Sequence, residues 1–198
     1  MGLLRIGGIM RRLEAGKYYH LYNRGNNREP LFIEARNYEY FLKLYAHHIE
    51  PVADTFAYCL LGNHFHLLIR IAAVPTAHGT PSKAFANLFN AYARSFNRAY
   101  GRTGALFQRP FGRIEVTSET YRKHLVTYIH TNPQKHGLVT DFRTWPYSSY
   151  HALISTMPTR LQRDEVRTWF TGIDALREAP LGGISNHELA MLMPDDFS

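Results

Sequence analysis

The chain has 198 residues, 45% of them hydrophobic and 20% charged, a balance that suits one soluble globular domain, with or without an appendage. No apolar run approaches the roughly 20 residues of a membrane span, and residues 1–16 lack the apolar core of a secretion signal, so no membrane partner is expected. A net charge of +7 and an isoelectric point near 9.6 favour a polyanionic partner, while a lone cysteine, Cys59, excludes an internal disulfide and suits a reducing cytoplasm.

Residues 17–23 (KYYHLYN) are rich in β-formers and run into the turn-like RGNN, which predicts a first strand. Residues 34–49 place Tyr38, Phe41, Leu42 and Tyr45 at helical spacing and stop before Pro51. Residues 55–61 and 64–71 read as two strands joined at Gly62-Asn63, a favourable hairpin pair. A second helical rhythm spans residues 82–100, and residues 105–116 look extended, with a bend near Pro110. Ser118-Glu119 opens a third helix expected to close at Asn132-Pro133. Residues 162–178 carry a weaker helical signal, and the last dozen are expected to be loose. The order predicts an α+β sandwich of ferredoxin-like (RRM-like) type, an antiparallel sheet with helices packed on it. The expected division is an N-terminal extension (1–16), a main domain (17–152) and a C-terminal helical extension with an acidic tail (153–198). From Asp164 onward seven acidic residues face only Arg167 and Arg177, so the basic character belongs to the body.

Charge distribution sharpens the partner class. Residues 81–114 contain no Asp or Glu, yet hold Lys83, Arg94, Arg98, Arg102, Arg109 and Arg113, interleaved with Phe85, Phe89, Tyr92, Phe96, Tyr100, Phe107 and Phe111. Basic groups for phosphates and aromatic faces for bases suit a nucleic-acid surface. The same residues also fit a helix with an aromatic core face and a solvated arginine face.

Chemistry is suggested by LLGNHFHLLIRI (60–71). His64 and His66 are two apart on a predicted strand and share a face with Leu68, while Phe65, Leu67 and Ile69 take the other. Such a pair is either half-buried packing or part of a divalent-metal site. In the third helix Tyr121, His124, Tyr128 and Asn132 recur at spacings of three and four, beside an apolar stripe of Leu125 and Ile129. A phenol one turn from an amide carbonyl offers a nucleophile beside a third ligand. Amphipathic packing and a helix stop explain the same spacing.

Five ordered stretches carry a family resemblance: YYHLYNRGNNREPLFI (18–33), AYCLLGNHFHLLIRI (57–71), GALFQRPFGRI (104–114), YIHTNPQKHGLV (128–139) and WPYSSY (145–150). With these motifs the chain resembles the single-tyrosine HUH transposases, in particular the insertion-sequence and REP-associated tyrosine transposases. The resemblance implies a DNA-strand transferase that cleaves single-stranded or hairpin DNA through a 5′-phosphotyrosine. It implies Tyr128 as nucleophile, and His64, His66 and Asn132 as ligands of Mg²⁺ or Mn²⁺. His124 is a further candidate for proton transfer. Arg24, Arg28, Arg94, Arg98, Arg109, Arg113 and Lys135 are expected to contact DNA, and relatives leave both a monomer and a homodimer open. Two positions depart from the family's pattern: Gly62 replaces a common proline, and Gln134-Lys135-His136 replaces a more usual Val-Arg-Ala. Two rival readings are a non-catalytic single-strand-binding module and a metal-dependent phosphodiesterase that forms no covalent intermediate.

Overall fold

A computed structural model describes residues 12–73 and 79–178. Alternating β-formers build its centre. β1 (Tyr18–Arg24), β2 (Ala53–Leu60), β3 (His64–Ile71) and β4 (Gly112–Glu115) form one antiparallel sheet in the order β2-β3-β1-β4. This is the expected ferredoxin-like arrangement, with β3 between the first two strands in sequence.

The period of two sends alternate side chains to two separate cores. Tyr19, Leu21, Phe65, Leu67 and Ile69 face α1 (Ala35–His48) and α2 (Pro81–Ala99), which supply Phe41, Tyr45, Phe85, Leu88, Phe89 and Tyr92. In α2 the buried Phe85, Leu88, Phe89, Tyr92 and Phe96 follow the three-and-four spacing that the sequence shows. Pro81 opens the helix, where its missing N–H costs nothing, and the Thr80 hydroxyl caps it by accepting from Lys83 N. Each large side chain buried here contributes roughly 1.5–3 kcal/mol.

The other face is covered as well. α3 (Glu119–Lys135) lays Leu125, Val126 and Ile129 on Phe56, Ala57, Cys59 and Leu68. The register of β2 shifts between Thr55 and Ala57, so Phe56 and Ala57 both join this second core. Residues beyond 150 complete it. In order these are α4 (Tyr150–Ile154), α5 (Arg163–Trp169) and α6 (Ile173–Glu178), with Leu153, Val166, Trp169 and Leu176 buried. Trp169 stacks on Phe56 at 5.2 Å, and Arg70 bridges Asp54 and Glu165.

Three elements differ from expectation. α3 does not stop at Asn132-Pro133 but carries Pro133 inside it and ends at Lys135. A proline there removes one donor from a helix with two residues left, and His136 N–H donates to Asn132 O to close the turn. The stretch expected to be extended over residues 105–116 is a strand only at β4. Residues 106–108 instead follow the RGNN turn, through Asn26 N to Leu106 O and Gln108 N to Arg24 O. The helix expected over 162–178 is broken between α5 and α6, where Thr171 and Gly172 have φ of 58° and 125°. The expected loose tail and residues 1–11 of the N-terminal extension lie outside the described residues.

Two motif stretches have local physical roles. Gly25 of RGNN is required because a Cβ there would stand 1.9 Å from the Glu29 carbonyl oxygen. WPYSSY covers the open edge of β2. Leu60 N donates to Tyr147 O and Ser149 N to Tyr58 O, each at 2.9 Å, and the Trp145 indole donates to Leu60 O at 3.0 Å. Among the described residues no helix is long and apolar enough to cross a membrane.

Candidate active site

The register between β1 and β3 sets Tyr22 opposite His66 and Arg24 opposite His64. His20, Tyr22, Arg24, His64 and His66 therefore occupy one face at one end of the sheet, beneath the second half of α3. The pair read from HFH does sit on the face opposite Phe65 and Leu67. It is not half-buried, however: His64 is 3% exposed, and His66 and His20 are 0% exposed. The centroids of the His64 and His66 rings are 5.3 Å apart, with planes at 84°.

Each imidazole is held through Nδ1. The Asn63 side-chain oxygen lies 2.7 Å from His64 Nδ1. An amide oxygen only accepts, so His64 carries its proton on Nδ1 and its lone pair on Nε2. Nδ1 of His66 lies 2.9 Å from Nε2 of His20. Burial pushes the His64 pKa down to about 3, with His136 and Arg24 adding to the effect. Burial, then the neighbouring His20, His64, His136 and Arg24, holds His66 well below the usual histidine range. Both are neutral, the form that ligates metal.

α3 delivers the remaining groups because it continues through Pro133. Tyr128 is 2% exposed and turns its ring edge-on to His66 at 5.4 Å and to His20 at 6.2 Å. Burial raises its pKa, against the opposing influence of the Asn132 amide, so the phenol is protonated at neutral pH. Asn132, one turn on and wholly buried, interacts with both the His64 ring and the Tyr128 phenol. Its Oδ1 is buried without a well-formed hydrogen bond among the described residues. One turn further, His136 brings its ring to 4.9 Å from that of His64, and the Lys135 ammonium stands over the Tyr128 ring. Gly112 makes room on β4 for the Tyr22 ring, which packs against His20 at 5.0 Å.

Among the described residues no group of three His, Cys, Asp or Glu side chains is arranged to hold a metal ion. The set brought together here is of another kind, two imidazoles and one amide. Its donors fit a divalent ion: neutral nitrogens plus a buried carbonyl oxygen that lacks a good partner.

The expected DNA-contacting residues fall into two groups. Arg24 is buried beside His64, and the exposed Arg28 lines a groove of about 480 Å³ with Asn63, His64, His136 and Leu138. Arg94, Arg109 and Arg113 line a cleft of about 660 Å³ between α2 and residues 104–113. That cleft lies on the opposite face of the sheet from the histidines, because Arg113 pairs with Leu21 and shares its face. Arg113 also lies over the Phe111 ring at 4.2 Å and donates to Ser82. Arg98 is exposed on α2 outside the cleft. His124 is half-exposed one turn before Tyr128, whereas the imidazoles that flank the phenol are His20 and His66. His130 is core, its Nε2 2.8 Å from Ser149 Oγ. Sequence reasoning missed His20 and His136 as members of the site. The first needed the β1–β3 register, and the second needed α3 to pass Pro133.

No family model matches the chain. Over 109 residues it is 32% identical to a Haemophilus influenzae protein provisionally named a REP-associated tyrosine transposase, a match covering 50% of this chain and 59% of that protein. The chain thus spans less than two thirds of that relative's length. A solved structure of a REP-associated tyrosine transposase bound to a REP hairpin superposes with a TM-score of 0.58 at 20% identity, covering 77% of this chain and 89% of the other. At that identity the superposition speaks for the fold, and the curated relative speaks for the sequence. In both respects the chain is similar to REP-associated tyrosine transposases.

Proposed function

We propose that this chain is a metal-dependent DNA-strand transferase that cleaves single-stranded or hairpin-ended DNA with the Tyr128 hydroxyl. The observation that carries the reading is that α3 sets the Tyr128 ring edge-on to His66 of β3, with Asn132 one turn further along the same helix. The curated relative is named a tyrosine transposase, and the structural neighbour holds a REP hairpin, which makes hairpin DNA the substrate class to test.

His64 Nε2, His66 Nε2 and Asn132 Oδ1 would hold the ion, and a donor set with two imidazoles favours Mn²⁺ over Mg²⁺. When bound, a divalent ion supplies a Lewis acid against the charge of a phosphate. Tyr128 Oη attacks phosphorus in line with the departing 3′ oxygen. The phenol loses its proton, the P–O3′ bond breaks, and the products are a 5′-phosphotyrosine and a free 3′-OH. Attack by a second 3′-OH breaks the tyrosyl ester and rejoins strands with no external energy source, because one phosphodiester replaces another. Lys135 favours negative charge on the phenol, and Arg24 and Arg28 supply positive charge beside His64 for the flanking phosphates.

The near-complete burial of Tyr128 favours one competing reading, a binding module whose histidine cluster is merely packed. Incubation with Mn²⁺ and a hairpin oligonucleotide separates the two. The transferase leaves DNA on the Tyr128 peptide, detected by mass spectrometry, and Tyr128→Phe abolishes it. Binding without cleavage supports the module, and adduct-free cleavage that survives Tyr128→Phe supports hydrolysis by water.

A further inference from the structure

We infer that His20 is a positioning residue for the metal site: it accepts a hydrogen bond from His66 Nδ1 and so fixes His66 in the tautomer that presents Nε2 as a ligand. The inference rests on the metal reading above, but the geometry behind it stands without a metal. His20 Nε2 and His66 Nδ1 are 2.9 Å apart, their rings are stacked at 29°, and both residues are 0% exposed.

Only one proton lies between the two nitrogens, and two arrangements are available. If His20 donates, His66 accepts on Nδ1, and the second nitrogen of a neutral His66 must carry the hydrogen. His66 Nε2–H is then a donor and cannot bind a cation. If His66 donates from Nδ1, its Nε2 carries the lone pair and His20 holds its own proton on Nδ1. Metal-binding histidines usually donate their other N–H to an oxygen acceptor. Here a second imidazole fills that role, held in place by the rings of Tyr22 and Tyr128. The parallel with His64 supports the assignment, since Asn63 holds that ring through Nδ1 as well. Both ligands would then present the same nitrogen, each fixed by a neighbour from β1 or the β2–β3 turn.

The test uses the full chain. Mn²⁺ binding is measured by the loss of the free-ion electron paramagnetic resonance signal, for wild type, His20→Phe and His20→Gln. The Gln amide oxygen can sit where the imidazole Nε2 sits and can only accept. Phe should weaken Mn²⁺ binding about ten- to a hundredfold, and Gln should stay within about threefold of wild type. Equal binding by Phe and wild type overturns the proposal, and so does an equal loss in both variants with unchanged melting temperatures. Two-bond ¹H–¹⁵N spectra of histidine-labelled, metal-free wild type give a second readout that survives misfolding of a variant. His66 protonated on Nδ1 supports the proposal, and His66 protonated on Nε2 overturns it. If wild type binds no Mn²⁺ while His66 is protonated on Nδ1, the metal reading fails and the tautomer assignment stands.

Discussion

The ammonium of Lys135 lies 4.9 Å from the centroid of the Tyr128 ring, seven residues and two turns along the same helix. A cation over a phenol that would become an anion in the proposed cleavage lowers the cost of that ionisation, and the low-dielectric surroundings enlarge the effect. Lys135→Met keeps the stem and removes the charge. It should slow single-turnover cleavage about tenfold, or about 1.4 kcal/mol, with a smaller change in DNA affinity. A rate equal to wild type would show that Lys135 acts only on the bound strand.

Stability should fall on mild acidification. Burial pushes His64 and His130 down to about 3 and His66 well below its ordinary value, whereas the unfolded chain titrates near 6.5. Between those limits the unfolded chain binds protons that the folded chain refuses. Stability is therefore full above about pH 6.5 and is lost as pH drops toward 3, by up to about 1.4 kcal/mol per histidine per pH unit. Urea unfolding at pH 7, 6 and 5 measures the slope. His130→Gln, which can keep the bond to Ser149, should reduce it, and a flat profile would contradict the burial of these rings.

Binding to single-stranded or hairpin DNA should depend on salt through the cleft arginines. Removing Arg94 and Arg109, both in the cleft lining, should each lower the slope of log affinity against log salt by about 0.7. Arg98→Ala, outside the cleft, should leave the slope near wild type. Equal effects at all three positions would mean that the DNA is not confined to the cleft.

Tyr128 should resist tetranitromethane in the free protein, since it is 2% exposed, while Tyr40 at 38% reacts. A phosphate reaches the phenol only if the end of α3 and the histidine face part. Adding a hairpin oligonucleotide should then raise nitration at Tyr128. Full reactivity without DNA would mean the buried arrangement is not the resting one.

Much of this was legible in the sequence because two periodicities are strong. The alternation in HFHLLIRI assigned His64 and His66 to one face and Phe65, Leu67 and Ile69 to the other. The three-and-four spacing of Tyr128, Asn132, Leu125 and Ile129 placed nucleophile candidate and docking stripe on adjacent faces of one helix. What failed was non-local or context-dependent. The ring beside His66 comes from β1, forty-six residues away, and no pattern within KYYHLYN names its partner. Pro133 reads locally as a stop, yet α3 packs well enough on the sheet to forgo one hydrogen bond. The degree of burial is likewise set by a distant element. A histidine-bearing strand face looks half-open until a third helix is known to cover it. The acid-free segment brings Arg94, Arg109 and Arg113 together in a cleft, but the parity of β4 turns that cleft to the far side of the sheet.

That parity has a consequence at the end of β1. Asn23 lines the arginine cleft and Arg24, the next residue, pairs with His64, which lines the groove beside Arg28, so one peptide unit separates two basins on either side of the strand. A straight duplex laid against the molecule touches one basin or the other. A polymer that fills both has to fold over this rim, which demands a pliable backbone with unpaired bases. Oligonucleotides too short to make the turn would engage each basin separately and gain nothing from having both. Affinity should therefore rise abruptly at a threshold of length instead of growing smoothly with each added nucleotide.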